Sequence, residues 1–600
     1  MEGQTRRLKS LKSRRMWLVS IVLIIGFSAL LWRLYWIQLG SVRSFSHEEM
    51  DLIARAEEQQ SRVVVVDSGR GSILDRQGQA LTGKKGWRLF ASPFSQAQIE
   101  ANRVKLGKLA SQLGWTEKQL VHQLQSLDTP GSLSRPDGSE LVLKEREAKA
   151  IRDLHIPGID ALESDDRWRD RGGRQVIGRV ERNPFLIQRR FPDEWEQGLY
   201  DSHSRIGVSG LEAAFEPFLR ADGSTLLTYT TDGQGRSLNG LEMKVEGSSV
   251  GEPYRLLTTL DQRIQSVAER ALNDAAVQEG AVVVQDIASG DLLAMASRPL
   301  ENDPQHDWNA WDNRALMETT PGSIFKTVVA IAALDTGKVK PSDQFHCNGH
   351  LGRYGLRDSK PDGHGTQTLE QAYANSCNIA FAQVAEKVGG KTIEEYANRL
   401  GLGSRILWSG KVWKEKNFRQ LPQEQRGLIF SDEMTRRDQG AVAQTGIGQR
   451  DVRVTPLQAA NMVTALFHDG KALNPRIVQE IQQRDGETLF TFQPHALAVE
   501  KRIKPETLQA LRKMMQTTVS DGTAQSLKDS AVSMGAKTGT AQVGQSNERF
   551  NKWMIGFAPT DQPRYAVSVV IRSVEDSKDN RSHRVFRQVM EQVVQGEARD

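Results

Sequence analysis

The sequence predicts an α+β fold for the second half of the chain, with an antiparallel sheet that is flanked by helices. Two pairs of strand-like runs carry this prediction: residues 281–287 with 292–297, and residues 551–560 with 564–573. A helix-like segment capped by Asp261 precedes the first pair, and residues 583–597 form another after the last strand. Strands that pair as neighbours and helices that flank them are typical of an α+β domain.

The chain has 600 residues, which is too many for one hydrophobic core, so two or more domains are expected. The composition changes near residues 251–253, where a Gly-Glu-Pro stretch precedes a strand-like run. Between about 160 and 250 the chain is rich in Gly, Arg and Asp, which suits a spacer. The sequence therefore predicts one domain over residues 38–250 and a second over residues 251–600.

An apolar run over residues 16–37 predicts a membrane-spanning helix, which would be about 33 Å long at 1.5 Å per residue. Aromatic residues at its two ends suit the membrane interfaces: Trp17, Trp32, Tyr35 and Trp36. Basic residues crowd positions 1–15, so these are expected to form a cytoplasmic tail, with the chain beyond about residue 38 outside. A cleaved signal peptide is the alternative, but the run is long and no A-x-A-like site follows it.

The excess of positive charge lies in the N-terminal tail. The whole chain has a formal net charge of +5, and residues 1–15 alone account for it, so the remainder is formally neutral. A nucleic-acid-binding protein needs a basic face on its folded part. The sequence therefore predicts no nucleic-acid partner.

The only two cysteines are Cys347 and Cys377, and an exported domain of this size needs no disulfide framework. Free thiols are expected, although pairing stays open because it depends on a Cα separation. His346, His350 and His364 lie close to Cys347 in sequence, but their spacing fits no common zinc pattern. The sequence therefore predicts neither a metal site nor a cofactor.

The first of three chemical motifs is Ser323-x-x-Lys326, which follows a Pro-Gly pair at the start of an apolar helix-like run. A serine and a lysine three residues apart share one face of a helix. A serine hydroxyl needs a base to become a nucleophile, and a buried lysine with a depressed pKa can serve. An N-cap serine beside a solvated lysine is the alternative for this motif alone.

The second motif is Ser376-Cys377-Asn378, within a stretch that is otherwise apolar and helical. Two polar side chains on either side of a buried cysteine suit a loop edge that faces a cleft. The serine hydroxyl can relay a proton, and the asparagine amide can bind a peptide carbonyl or the lysine. A helix cap is the alternative.

The third motif is Lys537-Thr538-Gly539-Thr540, within a strand-like run. A glycine inside a strand often marks the close approach of another backbone or a ligand. An edge strand here can pair with an extended peptide, while Lys537 with Thr538 or Thr540 holds the peptide carboxylate. An ordinary strand with a solvated cation is the alternative.

The order of the three motifs is far more specific than any one of them. S-x-x-K, then S-x-N, then K-T-G is the signature of penicillin-binding proteins and serine β-lactamases. From about residue 69 onward the chain resembles a class B penicillin-binding protein. Outside the three motifs, the resemblance is carried by residues 69–78, 204–212, 257–269, 280–297 and 445–462. The resemblance implies a penicillin-binding/serine β-lactamase-like transpeptidase domain on an elongated N-terminal pedestal (dimerisation) domain. The N-terminal part lacks room for a glycosyltransferase domain, which argues against class A.

The resemblance also implies a role for each motif residue. Ser323 is expected to be acylated by a D-alanyl-D-alanine stem peptide, with Lys326 as base and release of the terminal D-alanine. Ser376, assisted by Lys537, is expected to pass the proton to the leaving amine. Asn378 would position the substrate amide, and Thr538, Gly539 and Thr540 would bind the substrate. Backbone N–H groups of Ser323 and Thr540 would form the oxyanion hole.

Other functions fit the sequence less well. A histidine-dependent serine hydrolase would need a G-x-S-x-G turn, which accompanies none of the histidines. A β-lactamase would have no use for the long spacer, and a β-lactam sensor would need a signalling domain on the cytoplasmic side. A non-catalytic scaffold would have lost motif residues, and all three motifs are intact. A D,D-carboxypeptidase shares the acylation step and stays open.

The expected partners follow from the resemblance. They are peptidoglycan stem peptides, β-lactam antibiotics, the cytoplasmic membrane and a membrane glycosyltransferase of the wall-synthesis machinery. The expected location is the cell membrane, with a single span and an extracytoplasmic catalytic domain. Service in elongation, division or sporulation stays open.

Overall fold

The computed structural model describes residues 2–36, 61–67, 69–82, 85–139, 141–165, 172–200, 204–220, 225–230, 244–246, 253–300, 310–497, 502–544 and 548–597. The chain forms two compact units. The first comprises Met1–Asp67, Lys85–Ser164 and Ser224–Ser248, and the second comprises Ser68–Lys84, Asp165–Gly223 and Ser249–Asp600. The units are thus interleaved along the chain, and the linear boundaries 38–250 and 251–600 stay a prediction.

The described strands, in chain order, are β1 (Ser61–Asp67), β2 (Ile73–Leu74), β3 (Lys85–Ala91), β4 (Gly131–Ser132), β5 (Ile159–Asp165), β6 (Val180–Arg182), β7 (Arg205–Gly207), β8 (Thr225–Thr230), β9 (Lys244–Glu246), β10 (Arg255–Thr258), β11 (Gly280–Asp286), β12 (Leu292–Arg298), β13 (Gln344–Cys347), β14 (His350–Leu351), β15 (Leu356–Arg357), β16 (Gly365–Thr368), β17 (Ser409–Val412), β18 (Glu415–Arg419), β19 (Leu473–Asn474), β20 (Val478–Gln482), β21 (Thr488–Thr491), β22 (His495–Ala496), β23 (Gly535–Val543), β24 (Arg549–Ala558) and β25 (Tyr565–Val574).

The described α-helices are α1 (Glu2–Tyr35), α2 (Gln96–Ala101), α3 (Arg103–Leu113), α4 (Glu117–Ser126), α5 (Glu145–Arg152), α6 (Arg174–Ile177), α7 (Pro184–Arg190), α8 (Pro192–Glu196), α9 (Gly210–Ala214), α10 (Glu216–Leu219), α11 (Gln262–Asp274), α12 (Lys326–Asp335), α13 (Leu369–Ala374), α14 (Asn378–Val388), α15 (Gly390–Arg399), α16 (Glu433–Arg437), α17 (Gln439–Gly446), α18 (Pro456–Ala465), α19 (Pro505–Asp521) and α20 (Arg581–Glu597). Short 3₁₀ turns lie at Arg314–Leu316, Gly322–Phe325, Gly352–Tyr354 and Gln525–Leu527.

The N-terminal helix α1 contains the apolar run that the sequence predicts to span a membrane. Met16–Tyr35 has a mean hydropathy of 2.1 and no buried residues, and it is the one span in the described chain that is long and apolar enough to cross a bilayer. The predicted end at Ile37 lies outside the described residues. Exposed apolar side chains over 20 residues are compatible with a single-pass membrane helix.

The first unit contains two small sheets and a helical cluster. Strands β1, β8 and β9 form an antiparallel sheet, and β4, β3 and β5 form another. Helices α3 and α4 bury leucines at helical spacing, including Leu106, Leu109, Leu120 and Leu124. Thr116 begins α4 with a capping box that also uses Gln119.

A five-stranded antiparallel sheet organises the second unit, in the order β12-β11-β25-β24-β23. Alternate residues of β11 enter different cores, because successive side chains of a strand point to opposite faces. Ala281 and Val283 pack in the core that contains α12 and α18. Val282 and Val284 pack in the core that contains α11 and α20. The sheet is covered on both faces, and the predicted α+β architecture with its two hairpins is confirmed.

A buried ion pair in the second unit joins the segment that contains β2 to the helices α9 and α10. The guanidinium of Arg70 donates to Glu212 at 3.0 Å and to Glu216 at 2.7 Å, and all three side chains are at most 2% exposed. Burial lowers the pKa of Arg70, but the two carboxylates outweigh it and raise this pKa above its ordinary value. Two carboxylates that are removed from water in this way depend on the charge of Arg70 for part of their stability.

Replacement of this cation tests that dependence. Arg70→Ala removes the Arg70 cation from two buried carboxylates, so we expect a loss of about 3–5 kcal/mol in the free energy of unfolding. Thermal melting of the detergent-solubilised chain measures it. Arg437→Ala is the matched control, because Arg437 pairs with Glu433 on the surface and is 79% exposed. A melting temperature for Arg70→Ala that equals the control would contradict the expectation.

Candidate active site

The three sequence motifs meet beside strand β23. Ser323 lies in the 3₁₀ turn Gly322–Phe325, and Lys326 is the first residue of α12 that follows it. Ser376 and Asn378 lie where α13 ends and α14 begins. Residues 537–540 lie in β23, which ends the five-stranded sheet. All eight residues that the sequence singled out belong to the second unit.

Glycines allow the serine turn to approach the strand closely. A Cβ on Gly322 would lie 2.6 Å from the carbonyl oxygen of Thr540, and Gly322 has φ of +57°. A Cβ on Gly539 would lie 2.9 Å from the carbonyl oxygen of Pro321. A Cβ on Gly448 would meet the Gly322 carbonyl oxygen at 1.9 Å. The backbones on both sides of Ser323 therefore pack at distances that only glycine permits.

The ammonium group of Lys326 is buried among acceptors from the second motif. Lys326 Nζ donates to the Ser376 carbonyl oxygen at 2.5 Å and to Asn378 Oδ1 at 2.8 Å, and it lies 3.4 Å from Ser376 Oγ. Its side chain is 0% exposed. The Asn378 amide in turn donates to the Arg357 carbonyl oxygen at 3.1 Å, so its carbonyl end is aimed at the lysine.

A second buried lysine contacts the same serine. Lys537 Nζ donates to Ser376 Oγ at 2.8 Å and to the Thr538 carbonyl oxygen at 3.0 Å, and Lys537 is also 0% exposed. Ser376 Oγ therefore lies between two lysine side chains. Ser376 itself has φ of +55°, in the left-handed region that a non-glycine residue adopts only where its surroundings hold it.

Burial lowers the basicity of both lysines. Desolvation lowers the pKa of Lys326 to about 8, although Cys377, Asp358 and Cys347 act in the opposite direction. Desolvation and the charge of Lys326 lower the pKa of Lys537 well below its ordinary value. Two ammonium groups this close in a dry site disfavour each other, which favours the neutral amine. The site thus holds an amine that can accept a proton.

Strand β23 offers a free edge beside these groups. It pairs with β24 along its whole length, and its other edge has no strand partner among the described residues. Thr540 is exposed and Thr538 is half-buried, so their hydroxyls border this edge. An extended peptide can add to such an edge through backbone hydrogen bonds.

Sequence reasoning missed two side chains that hold the threonines of β23. Lys552 of β24 lies directly opposite Thr540, and its ammonium donates to Thr540 Oγ1 at 2.9 Å and to the Ser577 carbonyl oxygen at 2.6 Å. Thr523 shares a 2.6 Å hydrogen bond with the Thr538 hydroxyl. Only the strand register reveals Lys552, because it lies twelve positions after Thr540 along the hairpin.

Four potential metal ligands lie directly behind the second motif. One ligand atom each from Cys347, Asp358, His364 and Cys377 lies within 4.8 Å of the other three. Both cysteines are free thiols and both are buried. The set differs from the neighbours that the sequence suggested, since His346 and His350 are not part of it, while Asp358 and Cys377 are.

Comparisons with known proteins match two regions of the chain. Residues 280–591, about half of the chain, match the model of the penicillin binding protein transpeptidase domain, and residues 65–253 match the penicillin-binding protein dimerisation domain. Stage V sporulation protein D of Bacillus subtilis is 27% identical, over 92% of this chain and 81% of its own length. The peptidoglycan D,D-transpeptidase PbpA of Mycolicibacterium smegmatis is 29% identical, over 59% of this chain and 77% of its own.

The fold is also that of solved structures. One chain of a peptidoglycan synthase complex superposes with a TM-score of 0.63 and 24% identity, covering 96% of this chain and 97% of its own length. The transpeptidase match includes Ser323, Ser376 and Lys537, and the dimerisation match lies in front of it, as in the class B proteins that the motifs resemble. The chain belongs to the penicillin-binding protein transpeptidase family.

Proposed function

We propose that this chain is a peptidoglycan D,D-transpeptidase that cross-links stem peptides through an acyl-enzyme on Ser323. The observation that carries the proposal is the buried contact of Lys326 and Lys537 with Ser376, beside the turn that presents Ser323. Relatives named peptidoglycan D,D-transpeptidases support the same reaction. β-Lactams would acylate the same serine as mimics of the terminal dipeptide.

In the acylation step, the neutral amine of Lys326 takes the proton of the Ser323 hydroxyl as Ser323 Oγ attacks the penultimate D-alanine carbonyl. The C–N bond to the terminal D-alanine breaks, and its nitrogen receives a proton through Ser376 Oγ. Lys537 donates to that oxygen and so supports the transfer. The developing oxyanion is bound by the backbone N–H groups of Ser323 and Thr540.

In the second step, the amine of another stem peptide attacks the ester and gives up a proton to the same relay. Ser323 is released, and a new amide bond joins the two peptides. Before acylation, the free edge of β23 aligns the donor peptide, Asn378 holds its amide, and Thr538 with Thr540 binds the carboxylate of its terminal D-alanine, which later leaves with that residue. Lys552 adds a buried cation behind that carboxylate site, because its ammonium donates to Thr540 Oγ1.

We propose that the reaction takes place outside the cytoplasmic membrane. Helix α1 would anchor the chain in the cytoplasmic membrane with residues 1–15 inside and the catalytic unit outside, since basic residues favour the cytoplasmic side. A membrane glycosyltransferase that supplies uncross-linked strands is the partner this reaction requires. The similar chain in a peptidoglycan synthase complex supports such a partner.

Labelling with a fluorescent penicillin tests the nucleophile. Ser323→Ala is expected to abolish covalent label, because the oxygen that forms the ester is gone. Ser342→Ala is the matched control and keeps wild-type labelling, since Ser342 is an exposed serine of the same unit. Equal labelling of Ser323→Ala and wild type would exclude Ser323 as the nucleophile. Loss of the wild-type label within seconds would favour a β-lactamase instead.

The pH dependence of acylation tests the base. The folded pKa of Lys326 is about 8, so its neutral form grows as pH rises, and the acylation rate should rise about tenfold per unit at low pH and level off above 8. Stopped-flow acylation between pH 6 and 9.5 measures this. Lys326→Arg should be slower by about a thousandfold at every pH, because a guanidinium keeps its proton. A wild-type rate that is independent of pH would refute this role.

The carboxylate site can be tested at Lys552. Lys552→Met keeps the volume but removes the cation, so the acylation efficiency of a penicillin with a free carboxylate should fall about 10–100-fold, the range for a charged hydrogen bond. The loss should appear in the half-saturating concentration and should be absent for the methyl ester of the same penicillin. Lys578→Met is the control, because Lys578 is exposed nearby. An equal loss for acid and ester would mean that Lys552 only stabilises the fold.

A further inference from the structure

A cleft on the second unit lies between the segment that follows β2 and the first turns of helix α11. Its volume is about 750 Å³, and the ten described residues that line it are all polar or charged. Sites for apolar small molecules are lined mainly by apolar side chains. This cleft therefore suits a ligand with several charges and hydroxyl groups. Its lining includes four arginines: Arg76, Arg263, Arg270 and Arg564.

The two acidic residues of the cleft are withdrawn from its surface. Asp75 is 2% exposed, and its Oδ1 accepts the backbone N–H groups of Gln77 and Gln79 at 3.0 and 2.8 Å. Asp261 is 7% exposed, and its carboxylate accepts the N–H of Ile264 at 3.1 Å and the side-chain amide of Gln77 at 3.2 Å. Both carboxylates are therefore engaged in hydrogen bonds within the protein.

The arginines lie nearer to solvent than these carboxylates. Three of the four are exposed, and Arg263 is half-buried. Among the residues that the structure describes, Arg76, Arg263 and Arg270 form no ion pair. Four guanidinium groups against two carboxylates give the cleft an excess of two positive charges. Because the chain beyond residue 15 is formally neutral, this excess is a local feature that favours an anionic ligand.

The cleft is separate from the Ser323 site. Helix α11, which contributes several lining residues, packs in the core on the sheet face that bears Val282. Helix α12, which follows the Ser323 turn, packs in the core on the opposite face, which bears Val283. The lining of the cleft includes none of the residues of the three motifs. A ligand in the cleft therefore leaves Ser323 accessible.

We propose that this cleft binds uncross-linked peptidoglycan, with its arginines on stem-peptide carboxylates and its glutamines on sugar hydroxyls. The proposal rests on the proposed function, which makes this polymer the substrate of the chain. Guanidinium groups pair with carboxylates through two parallel hydrogen bonds, and a glutamine amide both donates to and accepts from hydroxyls. A polymer held at a second place has a higher effective concentration at the first, so the cleft would favour repeated reaction on one strand.

The affinity of the full chain for peptidoglycan strands tests the cleft. Fluorescein-labelled, uncross-linked strands with pentapeptide stems are titrated in detergent, on a Ser323→Ala background that prevents turnover. Arg76→Gln/Arg270→Gln should raise the Kd at least about fivefold at low salt, and the difference should shrink as salt screens these exposed charges. Arg502→Gln/Arg584→Gln is the matched control, because it removes two exposed arginines of the same unit outside the cleft, and it should stay within about twofold.

A measurement on the wild-type chain keeps the proposal testable if the cleft variant does not fold. Strands with a photoreactive group on the stem peptide should attach to peptides that contain residues 75–79 and 262–270, in addition to those around Ser323. Attachment confined to the surroundings of Ser323 would overturn the proposal. The fold of the cleft variant is checked by its acylation with a small penicillin, which should stay within about twofold of the wild type.

The remaining outcomes are also decisive. Equal strand affinity in the cleft variant and the wild type, or an equal loss in the control, would overturn the proposal. A cleft variant that loses affinity for a short-chain anionic phospholipid but keeps its affinity for strands would indicate a lipid headgroup site instead. Failure of the proposed function would appear as absent D-alanine release while strand affinity still depends on the cleft. Failure of this inference would leave D-alanine release intact and strand affinity unchanged.

Discussion

The structure depends on the burial of two lysines around one serine hydroxyl. Lys326 and Lys537 are both fully buried, and both contact Ser376. A buried ammonium is stable only where acceptors surround it, and here the acceptors come from the Ser376 carbonyl, the Asn378 side chain and the Thr538 carbonyl. The hydrogen bonds that satisfy these two buried side chains also join helix α12, the Ser376–Asn378 segment and the edge strand β23.

The same burial gives the site its chemistry. A lysine at its ordinary pKa of about 10.4 is protonated near neutral pH and cannot take a proton from serine. Desolvation and mutual repulsion make the neutral form accessible, and the glycines at 322, 448 and 539 let the serine turn approach the strand closely enough to share this environment. The glycines therefore allow the close backbone packing, and this packing brings Ser323 into the dry site where the lysine pKa values are lowered.

The fold of the second unit and the residues of the candidate site could be predicted because short stretches of the sequence indicate them. The hairpins of the second unit are apolar runs joined by turns at the expected places, and S-x-x-K, S-x-N and K-T-G are compact strings whose order is specific. What sequence reasoning missed depends on contacts between distant residues. Lys552 is recognised only from its register opposite Thr540, and segments 68–84 and 165–223 pack with the C-terminal part although they lie far from it in sequence.

The four potential metal ligands show the same limit. Spacing around Cys347 drew attention to His346 and His350, which are neighbours in sequence, whereas folding places Asp358 and Cys377 beside Cys347 instead. A strand alternates its side chains between two faces, so adjacent residues such as His346 and Cys347 point apart. A ligand set that is assembled from four separate segments has no compact motif.

The most direct measurement uses the purified full chain with nascent, uncross-linked peptidoglycan that carries pentapeptide stems. Released D-alanine and cross-linked peptide pairs are counted in the same reaction, for wild type and for Ser323→Ala. The wild type is expected to release about one D-alanine for each new cross-link, and the variant is expected to form neither product. Release of D-alanine without cross-links would contradict transfer to an amine, and cross-links formed by Ser323→Ala would contradict the acyl-enzyme itself.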